Sequence, residues 1–145
     1  MRRCVVDASV AAKWHFPEEL SENAAVLLSR QEAGELEIYA PDLILYEFGS
    51  VVLKKSRAGH VSSDDAQTIL EEFVASRPRL VSAAETVALA LRFAETARAS
   101  FYDSTYLAAA ELVGGALVTA DQRFVALTAG TPFAKVVQLL SEVQP

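Results

Sequence analysis

Short apolar runs alternate with longer helical segments along this 145-residue chain. The runs have the composition of β-strands, and we expect strands at residues 3–6, 37–40, 80–81, 116–119 and 135–138. Several are continuously apolar or β-branched, as in Cys4-Val5-Val6, which is typical of strands covered on both faces. Strands that alternate with helices usually form a parallel sheet, since each crossover connection is a helix. The pattern therefore predicts an α/β fold with a five-stranded, mostly parallel sheet flanked by helices.

The helical segments have recognisable ends. One is predicted at residues 18–33, before Gly34, and another at residues 43–57, before Gly59, because glycine suits the left-handed cap of a helix. A third begins after Ser62, and a fourth covers residues 84–98. No repeat, low-complexity tract or linker separates these segments, so we expect a single domain over residues 1–145.

Composition narrows the class of protein. Hydrophobic residues make up 52% of the sequence and charged residues 22%, as in a globular protein. The chain lacks an uncharged apolar run of the roughly 18 residues that a membrane helix needs, and Asp7 and Lys13 interrupt anything like a signal peptide. We therefore expect a cytoplasmic protein without a membrane segment. Cys4 lies in an apolar run, where a buried, unreactive thiol is expected.

The net charge of −6 is the wrong sign for a protein that coats nucleic acid by charge alone. It remains compatible with an enzyme that meets a nucleic acid through bound divalent cations, because such ions can be the largest local charges in a site.

Four acidic residues stand out by their positions. Asp7 directly follows the first predicted strand and Asp121 comes two residues after the fourth. Both should therefore emerge at the carboxyl ends of strands, where open α/β sheets bind ligands. Glu47 lies within a nearly uncharged helix and has no basic residue three or four positions away, so a buried carboxylate there needs a cation, a metal or a proton. Asp103 lies on the first turn of an apolar helix.

Each acid also has an ordinary structural interpretation. Asp7 and Asp121 could cap helices, Asp103 could complete a capping box begun by Ser100, and Glu47 could form a buried ion pair. Capping does not exclude metal binding, since an Asp at a helix start can direct its second oxygen outward. Together, four carboxylates would repel one another unless cations neutralised them, and Mg²⁺ prefers oxygen ligands. Two such ions roughly 3.5–4 Å apart can support phosphodiester cleavage without His or Cys.

The same residues lie in segments that resemble a known family. The segments are Val5-Val6-Asp7-Ala8-Ser9 with the following Lys13-Trp14 and Pro17-Glu18-Glu19, Pro41-Asp42-Leu43 leading to Glu47, Tyr102-Asp103-Ser104-Thr105-Tyr106-Leu107-Ala108, and Leu117-Val118-Thr119-Ala120-Asp121-Gln122-Arg123-Phe124. In this order and spacing they resemble the PIN-domain nucleases, in particular the VapC-type toxins, over nearly the whole chain. Only Ser104 departs from the pattern, since many relatives have alanine there.

The resemblance implies a PIN-like fold in which the four acids line a Mg²⁺ or Mn²⁺ site, named as Asp7, Glu47, Asp103 and Asp121. It also places the hydroxyls of Ser9 and Thr119 near the site, where they would hold water or orient a carboxylate. The implied activity is that of a metal-dependent endoribonuclease, the toxin of a type II toxin–antitoxin pair. The implied partners are an RNA substrate, a VapB-type antitoxin and a second copy in a homodimer. A concentrated acidic site would also suit an Arg or Lys side chain from the antitoxin.

Two alternatives remain open at this stage. A receiver-like phospho-acceptor module also uses Asp residues at strand ends, a hydroxyl such as Thr119, and Mg²⁺. It leaves Glu47 unexplained, and it would require a Lys after the last strand, whereas Lys135 lies at the beginning of that strand. The second alternative is a PIN scaffold that binds without catalysis, which RNA turnover would separate from an enzyme.

Overall fold

The computed structural model of the protein describes residues 2–144. Its central sheet has five strands, which are β1 (Arg2–Val6), β2 (Leu36–Pro41), β3 (Arg79–Val81), β4 (Ala116–Thr119) and β5 (Val137–Leu139). The strand order is β3-β2-β1-β4-β5, and each neighbouring pair is parallel. The expected five-stranded α/β sheet is therefore confirmed, with β1 at its centre.

Seven helices connect and cover the described strands: α1 (Ala8–His15), α2 (Ser21–Glu32), α3 (Leu43–Arg57), α4 (Ser63–Ala75), α5 (Ala83–Thr96), α6 (Phe101–Val113) and α7 (Gln122–Thr128). Short 3₁₀ segments at Pro132–Lys135 and Leu140–Glu142 flank β5. Within residues 2–144, none of these helices combines the length and apolar character needed to cross a membrane.

Three predicted boundaries differ from the structure by two or more residues, and one of them is the end of α5, which lies at Thr96 and not at residue 98. Helix α2 begins at Ser21 and not at residue 18, because Leu20 adopts a left-handed conformation with φ 67° and because Glu18 instead forms ion pairs with Lys13 and Lys55 at 3.6 and 3.5 Å. The last strand begins at Val137 and not at residue 135, since the 3₁₀ segment that starts at Pro132 includes Lys135.

The core lies on both faces of the sheet. Val5 and Val6 of the central strand are fully buried, as are Ile44 and Phe48 of α3. Cys4 is also buried, and burial raises the pKa of its thiol to about 12, so this residue is the unreactive thiol that its context predicts. This packing fixes the position of β1, whose carboxyl end carries Asp7.

Gly115 allows β4 to come close to β1. A Cβ atom at this position would lie 2.2 Å from the carbonyl oxygen of Arg3, which is far inside van der Waals contact. The close approach precedes the parallel pairing of Cys4 with Ala116 and of Val6 with Val118. The carboxyl ends of β1 and β4 consequently lie side by side at one edge of the sheet.

Candidate active site

The two acids at strand ends cap the helices that follow them. Asp7 is the N-cap of α1 and accepts a hydrogen bond from the Val10 amide at 3.3 Å. Asp121 is the N-cap of α7, and its Oδ1 accepts from the amides of Arg123 and Phe124 at 2.9 and 3.4 Å. The capping interpretation of both residues is therefore confirmed. Since each cap engages Oδ1 and leaves Oδ2 directed elsewhere, capping does not prevent cation binding.

Two hydroxyl groups hold the Asp7 carboxylate. Ser9 Oγ donates to Oδ1 and Thr119 Oγ1 donates to Oδ2, both at 2.5 Å. Each hydroxyl oxygen also accepts a hydrogen bond from a backbone amide. The Ala120 amide donates to Ser9 Oγ and the Asp121 amide donates to Thr119 Oγ1, both at 3.0 Å. The structure thus places Ser9 and Thr119 where they orient a carboxylate, and it ties Asp7 to the connection between β4 and α7.

Glu47 and Asp103 approach the same place from two helices. Asp103 lies on the first turn of α6, where Ser100 caps the helix by accepting from the Asp103 amide at 2.9 Å. Glu47 lies in the first half of α3, and its Oε1 is buried without a hydrogen-bond partner within residues 2–144. The hydroxyl of Tyr106, one turn along α6 from Asp103, is buried and unpartnered in the same sense.

All four predicted acids line one cleft of about 220 Å³. The remaining lining residues are Ala8, Ser9, Tyr106, Leu117, Arg123 and Phe124. A larger cavity of about 950 Å³ lies at the opposite, amino-terminal edge of the sheet and is lined by Arg2, Arg3 and Arg30 among others. Size alone would favour that cavity, but its lining includes none of the four acids, and we regard the smaller cleft as the candidate site.

The electrostatics of the cleft favour protons or cations. Burial raises the pKa of Asp7, and the nearby charge of Asp121 adds to this rise, while the hydrogen bonds that Asp7 accepts oppose it. Burial also raises the pKa of Glu47, and the charges of Asp7 and Asp103 reinforce the rise. The Tyr106 hydroxyl opposes it because it lies close to Glu47, although the two groups do not meet the geometry of a hydrogen bond. The carboxylates therefore repel one another across the cleft, and a bound cation would relieve this repulsion.

The donor set fits a hard divalent cation such as Mg²⁺ or Mn²⁺. Its oxygens are carboxylates, which such ions prefer, and Glu47 offers a buried oxygen with no other partner. In the positions that the side chains adopt, no three acidic, His or Cys residues within 2–144 are close enough to share one ion. The four acids would therefore have to move closer together to share a cation.

Arg123 and Tyr106 also line the cleft, and neither was predicted from the sequence as a site residue. Arg123 Nη2 lies 3.3 Å from Oδ2 of Asp121 and 3.6 Å from Oδ2 of Asp103. Sequence spacing from the predicted acids could have identified both residues. Arg123 is two residues after Asp121 at a helix start, and Tyr106 is three residues after Asp103 on one helix face.

The fold and the cleft define a class of α/β proteins with an acidic site at the carboxyl edge of a parallel sheet. The sequence profile of the PIN domain matches residues 4–129. A curated relative, Ribonuclease VapC3 of Pyrobaculum aerophilum, is 34% identical over 123 residues, which cover 83% of this chain and 91% of the relative. The chain belongs to the PIN-domain family. The expected resemblance to VapC proteins is confirmed by the same comparison.

Two solved structures share the fold. PAE2754 from Pyrobaculum aerophilum superposes with a TM-score of 0.62 at 26% sequence identity, and the match covers 92% of each chain. VapC20 from Mycobacterium tuberculosis, a toxin that cleaves the sarcin–ricin loop, also gives a TM-score of 0.62, at 18% identity, over 90% of this chain and 97% of that one. At such low identity the second likeness shows the fold alone.

Proposed function

We propose that this protein is a metal-dependent endoribonuclease and the toxin of a type II toxin–antitoxin pair. The observation that carries the proposal is the convergence of four carboxylates, from two strand ends and two helices, on one cleft. The family supports it, because the chain is a PIN-domain protein with a curated relative named Ribonuclease VapC3.

Asp7, Glu47, Asp103 and Asp121 would hold Mg²⁺ or Mn²⁺ in this proposal. A bound divalent cation would supply an activated water and neutralise charge on the scissile phosphate. The protein's own contribution is positioning. Ser9 and Thr119 fix both oxygens of Asp7 against the β4–α7 connection, so one carboxylate has its orientation set before a cation arrives. Glu47 is not fixed in this way, since its buried Oε1 has no partner within residues 2–144.

The net charge of −6 makes the cations important for RNA recognition as well. An RNA phosphate would meet a repulsive cleft in the metal-free protein and an attractive one once the carboxylates are neutralised. The proposal also includes restraint in the cytoplasm by a VapB-type antitoxin whose basic side chain enters the cleft, and a homodimeric toxin. Complementary charge would speed the encounter of toxin and antitoxin.

The receiver-like alternative is less well supported. A phospho-acceptor module of that kind would require a Lys near the acidic residues, but Lys135 lies in the 3₁₀ segment before β5 and does not line the cleft. The matching family is the PIN domain. The non-catalytic PIN scaffold is distinguished from the enzyme by turnover, which the experiment below measures.

Cleavage of RNA by the purified, metal-free protein tests the proposal. We expect hydrolysis of a single-stranded or structured RNA only after Mg²⁺ or Mn²⁺ is added, and loss of hydrolysis in Asp7→Asn. Asp64→Asn is the matched control, because Asp64 is an exposed acid on the first turn of α4. Metal-independent cleavage, or full activity of Asp7→Asn, would refute the assigned site. Binding of RNA without any cleavage would favour the scaffold.

A further inference from the structure

The cleft already contains one positive charge, which belongs to the chain itself. The guanidinium of Arg123 lies between two of the four acids, with Nη2 3.3 Å from Asp121 Oδ2 and 3.6 Å from Asp103 Oδ2. Among the described residues that line this cleft, Arg123 is the one basic residue. It therefore takes the place, between two carboxylates, that a divalent cation would have to enter.

The backbone of Arg123 is held firmly, whereas its guanidinium is held loosely. The Arg123 amide donates to Asp121 Oδ1 at 2.9 Å, which fixes the backbone at the start of α7. The side chain is 65% exposed, and its two contacts with carboxylates are longer than a strong charge-assisted hydrogen bond. Exposed ion pairs of this kind are weak. A divalent cation could therefore displace the guanidinium of Arg123 without disturbing helix α7.

We propose that Arg123 is a resident competitor for the divalent cation, and that cation binding transfers its guanidinium from Asp103 and Asp121 to a phosphate of the RNA. This inference rests on the proposed function. The guanidinium and the cation would compete for the carboxylates of Asp103 and Asp121, because simultaneous occupancy would bring like charges together. Once released, the guanidinium remains at the rim of the cleft, and its planar fork of donors matches a phosphate.

In the structure, Arg123 contacts two of the four acids. Its guanidinium neutralises part of the charge on Asp103 and Asp121. The exchange would also favour RNA binding to the cation-loaded protein, because only that form has a free guanidinium.

The test measures Mn²⁺ binding to the metal-free, full-length protein by calorimetry, and KM for RNA at saturating Mn²⁺. In Arg123→Gln we expect Mn²⁺ to bind roughly two- to thirtyfold more tightly, which corresponds to about 0.4–2 kcal/mol for two exposed ion pairs, while KM for RNA rises. Arg2→Gln is the matched control. It makes the same charge change at the opposite end of β1 from Asp7, beyond the screening length of about 8–10 Å in physiological salt. Arg2→Gln should change neither value.

In Arg123→Gln we expect Mn²⁺ binding to strengthen and the interaction with RNA to weaken. A merely structural role of Arg123 would weaken both interactions together. Unchanged or weaker Mn²⁺ binding in Arg123→Gln would overturn the competition. Tighter Mn²⁺ binding with an unchanged KM would overturn the transfer to phosphate. Arg123→Lys keeps the charge without the planar fork, and it should fall between the wild type and Arg123→Gln on both measurements. Calorimetry does not depend on turnover, so an inactive wild-type protein would refute the ribonuclease proposal separately.

Discussion

Thr119 donates its hydroxyl hydrogen to Asp7 Oδ2 at 2.5 Å, although 112 residues separate the two in sequence. The same hydroxyl oxygen accepts the Asp121 amide, so one side chain links two of the proposed ligands. The contact depends on the parallel pairing of β1 with β4, which brings the ends of both strands to one edge. The sheet topology therefore sets the position of the carboxylate on which the proposed chemistry depends.

Thr119→Val should destabilise the protein while keeping the shape of the side chain. Thr119 is fully buried, and the substitution leaves a carboxylate oxygen and an N–H without a partner, each of which costs about 1–3 kcal/mol. Urea denaturation measures the change in the free energy of unfolding. Thr86→Val is the control, because Thr86 is equally buried and its hydroxyl contacts only a carbonyl of its own helix at 3.3 Å. Equal effects of the two substitutions would contradict the role given to Thr119.

Ser104→Ala should stabilise the protein. The Ser104 side chain is fully buried and its Oγ has no hydrogen-bond partner within residues 2–144. Removing an unsatisfied buried hydroxyl recovers a desolvation cost of about 1 kcal/mol, which thermal or urea unfolding can detect. Ser100→Ala, four residues earlier on the same helix, should lower stability by about 1 kcal/mol because Ser100 is the N-cap. A loss of stability in Ser104→Ala would mean that its hydroxyl has a partner.

Mg²⁺ or Mn²⁺ should raise the melting temperature of the metal-free protein. A ligand that binds only the folded state adds roughly 2.7 kcal/mol at a hundredfold excess over Kd. Zn²⁺ should be dispensable, since the sequence has no Cys and His set with structural spacing.

Glu47→Gln should raise the stability of the metal-free protein, because burial raises the pKa of Glu47 and its charged form is unfavourable there. The same variant should lose much of the increment from metal, and a full increment would exclude Glu47 as a ligand.

His15 should make the protein less stable as the pH falls. Burial lowers the pKa of His15 in the folded protein, with Glu72 opposing the shift, and its ring packs against Phe48 and Phe73. The stability from the neutral ring is fully present above the unfolded pKa of about 6.5, and it is lost as the pH falls towards the lower folded value. Between pH 7.5 and 5.5, His15→Gln should therefore lose less stability than the wild type.

The control for His15 is His60→Gln, because His60 is exposed. Denaturation at several pH values should give His60→Gln the same pH dependence as the wild type. A wild-type pH dependence in His15→Gln would show that other groups cause the loss of stability.

Local patterns in the sequence predicted most of the fold. The runs around Val5 and Val118 are buried parallel strands as expected, because a strand covered on both faces must be apolar throughout. The errors arose where tertiary contacts override local preference. Glu18 looks like the start of a helix, but its ion pairs with Lys13 and Lys55 hold it outside α2.

The candidate site shows the same limit. Asp7 and Asp121 could be placed at one sheet edge from the sequence, since strand ends are recognisable. The side chain of Arg123 could not be placed, because only the folded chain reveals that it turns back over Asp121 towards Asp103. Tyr106 was hidden for a related reason, since its buried hydroxyl becomes notable only beside the unpartnered oxygen of Glu47.

The central claim is that Asp7, Glu47, Asp103 and Asp121 together bind the divalent cation that a ribonuclease of this family would use. The most direct test is a crystal grown with Mn²⁺, in which anomalous scattering locates the ion. We expect a peak roughly 2.0–2.2 Å from an oxygen of Asp7 and from at least one other of the four carboxylates, with the Arg123 guanidinium moved away from Asp103. Full Mn²⁺ occupancy elsewhere in the molecule, with Arg123 still bridging Asp103 and Asp121, would contradict it.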